Sequence, residues 1–346
     1  MVSQAVGNQA QIKEGKTQSA AVVQEACKPF LRWAGGKRWL ARSLAPILRR
    51  HLDTSGGTYI EPFLGSGAIF YATAPARAIL NDLNEDLVLA HAAVADVPDY
   101  LVKALASLPV DRETYNAVRE LAPKSPFERA VRMIWLNRTC YGGIHRTNKQ
   151  GQFNTPYGGG SRRPDVLWRE GIVEGCAQVL SGDIDLTVGD FEAAIDRAGD
   201  GDVVFCDPTY SNPNRDHFDR YGPSVFSWAD QVRLSSACRR ALGRGATVIV
   251  TNGAYSQLAE IYPDAYRITL KRATSMGVRR KAGTDDEYLF ILDPWKRRRK
   301  WAGLGEIENR LKQAAEASRV SALSEARRPK VQAPRAIVRP IEPVLD

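Results

Sequence analysis

The chain has 346 residues, of which 44% are hydrophobic, and it carries a formal net charge of +9 at pH 7. That length allows one large core, or one core together with a smaller module. The sequence shows neither a membrane-length apolar run nor a signal peptide, so we expect neither a membrane-spanning nor a secreted protein. We therefore expect a cytoplasmic protein whose five scattered cysteines are reduced.

Four regions follow one another along the chain. Residues 1–27 are polar and rich in small side chains, which predicts a disordered N-terminus. Residues 28–94 and 164–293 alternate apolar runs with glycine-rich turns, as α/β proteins do. Residues 95–163 become helical and then polar, so we expect them to form an inserted module. Residues 294–346 are a basic tail, which we expect to be partly helical or disordered.

The clearest helix of the inserted module begins at Ser125. Ser125, Pro126 and Glu128 have the pattern of an N-cap, a proline at the first helical position and a capping box. Apolar residues then repeat at helical spacing, namely Phe127, Ala130, Val131, Ile134 and Trp135. Residues 141–154 are polar and bracketed by glycines, which predicts an exposed hairpin or loop.

Short β-rich runs return in the C-terminal half of the chain. They are predicted at Asp202–Cys206, Ala246–Thr251, Tyr266–Lys271 and Glu287–Leu292, with a helix at Trp228–Leu242. Alternation of strands with helices predicts a mainly parallel, doubly wound α/β sheet. The last two runs have no helix between them, so we expect them to close the sheet as an antiparallel pair.

The net positive charge lies mainly in the tail. Residues 294–346 contain 13 Lys/Arg and 6 Asp/Glu, so seven of the nine net charges lie there. A basic tail favours a polyanionic partner only weakly, because such segments are usually solvated. Helical spacing of Leu304, Ile307, Leu311 and Ala315 predicts one amphipathic helix. We expect the tail to bind phosphates, and a docked structural helix is the alternative.

Two strand-to-turn segments indicate a nucleoside cofactor. Residues 59–67 run from a strand into a turn with Gly65 and Gly67, and residues 78–82 form a second strand that ends at Asp82. Glycines let a backbone approach a ligand closely, and a carboxylate about 20 positions after the first strand can accept hydrogen bonds from ribose hydroxyls. The pattern is common, and a helix cap is the alternative role for Asp82.

The sharpest segment comprises residues 203–210. A hydrophobic strand is followed at once by Asp207, Pro208 and Tyr210. These residues are expected at the carboxyl edge of the sheet, where α/β folds bind their ligands. On these residues alone, a strand that ends in an Asp-Pro turn is an equal alternative.

Taken together, five segments in one order resemble the Dam-type (D12 class) DNA adenine-N6 methyltransferases. They are residues 30–37 (FLRWAGGK), 61–67 (EPFLGSG), 81–84 (NDLN), 136–138 (LNR) and 207–210 (DPTY). The resemblance extends from Pro29 to Leu292. It implies a Rossmann-like methyltransferase domain that uses S-adenosylmethionine, with residues 95–163 as the target-recognition module for double-stranded DNA.

The resemblance also assigns cofactor contacts position by position. They fall on Trp33, Lys37, Phe63, Gly65, Gly67, Asp82, Asp190 and Asp207. Trp33 and Lys37 would hold the methionine part of the cofactor, Asp82 its ribose and, on a looser match, Asp190 its adenine. The structural alternatives are a core role for Trp33 and a solvated surface amine for Lys37.

The resemblance and the chemistry agree on Asp207, Pro208 and Tyr210 as catalytic residues. Adenine N6 is a poor nucleophile that is inaccessible inside a duplex, so the base has to be flipped out. The Asp207 carboxylate and the Pro208 carbonyl would then accept the two N6 hydrogens while Tyr210 stacks on the base. Such an in-line transfer requires neither a metal nor a covalent enzyme intermediate.

In the recognition module, Arg146 is the best candidate for a base contact, because a guanidinium can bind O6 and N7 of guanine. His145, Asn148 and Lys149 are further candidates for contacts with DNA, and contact with solvent alone is the alternative for them. Gly142 stands where the GATC-specific members of the family have asparagine, which leaves the target sequence open.

Two other functions stay open at the level of sequence. Thr209 replaces the family's usual proline, which is the one feature that favours a non-catalytic DNA-binding relative. A methyltransferase that acts on RNA or on a protein glutamine is the other alternative, although the long recognition module favours duplex DNA. The sequence decides neither whether a partner endonuclease exists nor whether the role lies in restriction, regulation or phage biology.

Overall fold

The computed structural model describes residues 27–33, 35–148, 150–159, 171–210, 226–273, 284–294 and 308–313. The expected disordered N-terminus, Lys149 and most of the basic tail lie outside the described residues. Within the described ranges, no helix is both long enough and apolar enough to cross a membrane.

One sheet organises the described part of the chain. Its seven strands are β1 Tyr59–Glu61, β2 Arg77–Asp82, β3 Asp183–Val188, β4 Val203–Cys206, β5 Thr247–Gly253, β6 Tyr266–Ala273 and β7 Thr284–Leu292. Their spatial order is β3-β2-β1-β4-β5-β7-β6. Strands β1 to β5 pair in parallel, whereas β7 is antiparallel to both β5 and β6. The predicted doubly wound sheet with an antiparallel end is confirmed.

The strand order reverses between β1 and β4. From β1 the chain runs outward through β2 to β3, and it then returns to the centre at β4. Parallel α/β sheets have their ligand crevice at such a switch point, outside the carboxyl ends of the strands. Strand β3 was missing from the sequence prediction because this edge strand has no continuous apolar run; its signal is the alternation of polar and apolar residues in DIDLTV.

Helices cover both faces of the sheet. They are α1 Arg38–Ser55, α2 Ala68–Thr73, α3 Glu85–Asp96, α4 Pro98–Ala106, α5 Arg112–Glu120, α6 Pro126–Thr139, α7 Ile172–Leu180, α8 Phe191–Ile195, α9 Trp228–Gly243 and α10 Ser256–Ile261. Successive strand residues alternate between two hydrophobic clusters, as the pleat requires. Helices α1 to α7 pack on one face, and α8 to α10 pack on the other.

Helix α6 confirms the predicted helix with a buried face. Ile134 and Trp135 are fully buried, and Pro126 occupies the first turn. The predicted capping box is wrong, because the Ser125 side chain makes no capping hydrogen bond. The Ser125 carbonyl instead accepts from the backbone amide of Arg129, and Pro126 supplies a backbone angle that suits a first turn.

The predicted hairpin follows α6 after a single 3-10 turn at Tyr141–Gly143. Thr147 and Phe153 form an antiparallel bridge, and the Asn154 amide donates to the Arg146 carbonyl at 2.9 Å. Helices α4 to α6 bury apolar side chains in the same cluster as α1. The recognition module therefore shares a core with the α/β domain, and its boundaries at residues 95 and 163 stay a prediction.

A short piece of the tail is described, and it packs against the domain. Residues 308–313 are helical, and Leu311 is fully buried in the cluster beneath α1. The Tyr266 hydroxyl donates to the Glu308 carboxylate at 2.5 Å, which ties this helix to β6. For these six residues, the contacts favour the docked helix over the flexible phosphate-binding segment that we expected.

We expect Leu311→Ala to destabilise the protein by about 2–5 kcal/mol, because it empties a buried leucine site. Urea denaturation measures the change, and Gln313→Ala on the exposed face of the same helix is the matched control. If Leu311→Ala unfolds at the same urea concentration as Gln313→Ala, the helix is not docked.

Candidate active site

Three acidic residues meet at the carboxyl edge of the sheet. Glu61 ends β1, Asp82 ends β2, and Asp207 follows β4 directly. Since β1 pairs with both β2 and β4, the three strand ends are neighbours. Glu61 is buried and accepts a hydrogen bond from the Tyr59 hydroxyl at 2.8 Å, and burial raises its pKa well above the usual range. Asp82 and Asp207 are more exposed, which leaves them as the candidates for ligand contacts.

The glycine turn after β1 is held from both sides. Gly65 and Gly67 adopt left-handed backbone angles, with φ of 49° and 65°. The Gly65 amide donates to Asp82 Oδ2 at 2.9 Å, and its carbonyl lies 3.1 Å from His91 Nε2. Burial lowers the pKa of His91 to about 4, so its ring is neutral at pH 7. Asp82 therefore shapes the turn, while Asn84 caps the next helix.

A buried ion pair lies beside the turn. Lys37 is 3% exposed, and its Nζ lies 2.8 Å from Asp207 Oδ1. The Thr251 hydroxyl donates to the same oxygen at 2.7 Å. Burial raises the pKa of Asp207, and Lys37 and Thr251 partly offset this by favouring the ionised carboxylate. Of the two roles weighed for Lys37, the solvated surface amine is wrong.

Glu287 joins this pair to the aromatic ring of Tyr210. The Tyr210 hydroxyl donates to Glu287 Oε2 at 3.0 Å, and Lys37 Nζ lies 3.7 Å from the same oxygen. Lys37 also sits 4.9 Å from the centre of the Tyr210 ring, within cation–π range. One ammonium thus contacts two carboxylates and the ring, which fixes the geometry of the residues that follow β4.

The D12 class of N6 adenine-specific DNA methyltransferases matches this chain over residues 33–276. The matched segment includes the glycine turn, Asp82, Asp207 and the hairpin. The chain belongs to this family.

Three named relatives are methyltransferases, and one of the three is named as a DNA adenine methylase. The Type II methyltransferase M1.LlaDCHI of Lactococcus lactis subsp. cremoris is 32% identical over 68% of this chain and 85% of its own length. The Type II methyltransferase M.MjaIII of Methanocaldococcus jannaschii is 31% identical over 65% of this chain and 84% of its own length. The DNA adenine methylase of Escherichia coli is 31% identical over 77% of this chain and 96% of its own length.

This D12-class methyltransferase has a cluster of aromatic side chains next to the turn. Phe63 stacks on Phe191 with ring centres 5.3 Å apart, and Phe226 meets Phe63 edge-on at 5.5 Å. The Asp190 carboxylate caps α8 and pairs with Arg233 at 3.0 Å. Asp190 therefore has structural partners of its own, and its expected contact with the cofactor adenine stays a prediction.

The hairpin residues that were predicted to contact DNA have different surroundings in the structure. Arg146 is exposed, and its guanidinium donates to the Asn154 side chain at 2.7 Å. Asn148 Oδ1 accepts from the backbone amides of residues 150 and 152, so this side chain holds the turn. His145 stacks on Trp33, with ring centres 5.7 Å apart and an angle of 21° between the planes. Lys149 lies outside the described residues.

Sequence reasoning missed Glu287 as a functional candidate of the methyltransferase. The residue was included in a predicted strand, but no role was given to it. The available signal was a carboxylate next to an apolar run, which is a costly group to bury without a partner. In the structure Glu287 is 4% exposed and has Tyr210 and Lys37 as partners.

Proposed function

We propose that this methyltransferase transfers the methyl group of S-adenosylmethionine to N6 of an adenine that is flipped out of duplex DNA. The observation that carries the proposal is the pairing of Asp207 with Lys37 at 2.8 Å, directly beside the turn held by Asp82. Methyl transfer from labelled cofactor to DNA, resolved at the level of the nucleoside, is the test.

The residues at the turn fit the proposed cofactor. Gly65 presents backbone without a side chain, and the Asp82 carboxylate keeps acceptor capacity beyond its bonds to two backbone amides. That capacity suits two ribose hydroxyls. Leu83 and Val188 are 61% and 51% exposed beside Asp82, and such apolar side chains suit the faces of an adenine ring.

The residues after β4 fit the proposed adenine. When bound, S-adenosylmethionine supplies an electrophilic methyl group on a positively charged sulfur. The Asp207 carboxylate and the Pro208 carbonyl accept the N6 hydrogens and orient the nitrogen lone pair along the line of transfer. As the methyl group passed from the sulfur to N6, positive charge would develop on N6, and the negative Asp207 would stabilise it. The sulfur would become a neutral thioether, and N6 would return to neutrality by losing one hydrogen as a proton to solvent. Tyr210, fixed by Glu287, offers its ring to the base.

The threonine that stands in place of the family's proline leaves these groups unchanged. Thr209 is exposed, whereas Pro208 is buried and Asp207 keeps its bonds to Lys37 and Thr251. Because the groups that would contact N6 are retained, we favour the active enzyme over the non-catalytic relative.

Activity should fall as the pH drops through the raised pKa of Asp207, because only the ionised carboxylate serves as acceptor. The Thr251 hydroxyl favours that form, so Thr251→Val should raise the pKa further. The acid limb of the pH dependence of kcat/KM should then move to higher pH by about half a unit to one unit.

The matched control is Thr247→Val. This buried threonine lies in the same strand, and its hydroxyl has no hydrogen-bond partner. We expect its acid limb to coincide with that of the wild type. Equal limbs for all three proteins would show that Asp207 does not control the pH dependence.

A further inference from the structure

We propose that His145 is a positioning residue through which the recognition hairpin holds the cofactor turn, so that binding of duplex and binding of cofactor strengthen each other. The proposal rests on the proposed function, and it names a coupling between the two binding sites of that function. It replaces the expected contact of His145 with DNA.

The first step is the contact between Trp33 and the glycine turn. A Cβ atom added to Gly65 would lie 3.0 Å from Trp33 Cδ1 and 3.1 Å from Nε1. The indole therefore lies directly against the Gly65 backbone. Since the Gly65 amide is bonded to Asp82, a shift of the indole changes the space and the orientation of the turn.

The second step is the contact between the hairpin and Trp33. His145 stacks on the indole at 5.7 Å between ring centres, and it also contacts the Phe153 ring at 5.5 Å. Phe153 is 8% exposed and belongs to the opposite arm of the hairpin. The imidazole thus lies between the body of the hairpin and the indole.

The backbone next to these rings is held by hydrogen bonds with one side chain. Asn137 Nδ2 donates to the Arg32 carbonyl at 2.7 Å and to the Gly143 carbonyl at 3.3 Å, and Asn137 Oδ1 accepts from the Arg32 amide at 2.9 Å. One amide at the end of α6 therefore fixes the residue before Trp33 and the start of the hairpin. Movement between them is left to the side chains of Trp33 and His145.

The state of the imidazole agrees with stacking. Burial lowers the pKa of His145; the nearby Asp86 carboxylate opposes this by a smaller amount, and Arg132 adds a still smaller lowering effect. The ring is therefore neutral at pH 7. A neutral, partly buried imidazole is a weak ligand for phosphate but packs well on an indole.

Arg146 connects the proposed DNA contact to the stacked pair of His145 and Trp33. It is adjacent to His145 in sequence, and it is exposed on the hairpin with its guanidinium held by Asn154. A duplex that binds the Arg146 side chain restricts the neighbouring side chain of His145, whose imidazole is stacked on Trp33. Because coupling is reciprocal, a cofactor that orders the turn must then favour the duplex by the same factor.

The test uses the full chain and measures one ratio, the cofactor affinity with duplex divided by the cofactor affinity without duplex. S-adenosylhomocysteine, the product form of the cofactor, is titrated by calorimetry with and without saturating duplex that carries the sequence methylated by the wild type. We expect the duplex to raise affinity at least about fivefold in the wild type. In His145→Ala the ratio should fall to about one, whereas His145→Phe, which keeps a stacking ring, should retain it.

Two further variants separate coupling from packing. His145→Leu keeps the buried volume but has no stacking ring, so it should lose the ratio as His145→Ala does. It provides the test if the alanine variant folds poorly. Tyr100→Ala breaks another stacked pair of the module, with Phe127 at 4.8 Å, and should keep the ratio of the wild type.

The outcomes are distinct. A wild-type protein that binds no S-adenosylhomocysteine contradicts the proposed function itself. A wild-type protein that binds it equally well with and without duplex contradicts only the coupling. A ratio that survives in His145→Ala and His145→Leu assigns His145 to packing alone. A ratio that is lost equally in His145→Phe contradicts stacking as the route of the coupling.

Discussion

Replacing Asp207 with alanine should lower kcat by at least about 10²- to 10³-fold, because the variant loses a preorganised acceptor at the atom where charge develops. Affinity for DNA should change much less, since in the proposed function the carboxylate would contact a single base. Single-turnover kinetics on saturating duplex isolate the chemical step from binding and from product release.

The buried ion pair makes a second variant necessary. Asp207→Ala leaves the Lys37 ammonium with Glu287 at 3.7 Å, so some loss of stability is expected as well. Asp207→Asn keeps the size of the side chain and a carbonyl acceptor, and it should therefore retain more activity. Melting curves verify the fold of both. Near wild-type turnover in a folded Asp207→Ala protein would refute the catalytic role.

Replacing Asp82 with alanine should weaken cofactor binding about 10- to 100-fold, because hydrogen bonds to a charged group contribute about 1.5–3 kcal/mol. The affinity for duplex in the absence of cofactor should stay close to that of the wild type. Calorimetry with S-adenosylmethionine gives the first value, and fluorescence anisotropy of labelled duplex gives the second.

Asp82→Ala also removes the hydrogen bond from the Gly65 amide, and the changed shape of the turn could by itself weaken cofactor binding. The variant alone therefore does not separate a ribose contact from an effect on the turn. A cofactor analogue without the 2′-hydroxyl separates the two routes. If Asp82 binds the ribose, the wild type should discriminate against the analogue, and Asp82→Ala should bind both forms equally well. Discrimination that persists in the variant would limit Asp82 to holding the turn.

Much of the fold could be predicted because its signals are local. Runs of apolar residues identify β4, β5 and β7, the spacing after Ser125 identifies α6, and the missing helix before β7 indicates an antiparallel end. The apolar runs before Asp82 and Asp207 also located these residues at strand ends, and the order of the motifs indicated the family. Strand β3 was missed although its sequence, DIDLTV, alternates polar and apolar residues as a half-exposed strand does; the prediction relied on continuous apolar runs, and this edge strand has none.

The contacts that complete the candidate site join distant parts of the chain. Lys37 meets Asp207 across 170 positions, and Tyr210 meets Glu287 across 77. Such pairings follow from the sheet order, which one sequence does not specify. In the same way, the burial of Leu311 depends on a hydrophobic cluster built from distant parts of the chain, whereas its own sequence context is dominated by basic residues.

The central claim is tested most directly by the identity of the methylated product. Unmethylated duplex DNA is incubated with the protein and with S-adenosylmethionine labelled at the methyl group, and the DNA is then digested to nucleosides for mass spectrometry. Parallel reactions contain RNA or a glutamine-containing protein, and Asp207→Ala serves as the inactive control. We expect the label in N6-methyldeoxyadenosine from duplex DNA, and none from the variant. Label found instead in RNA or in a glutamine side chain, or no labelled N6-methyldeoxyadenosine at all, would contradict the proposed function.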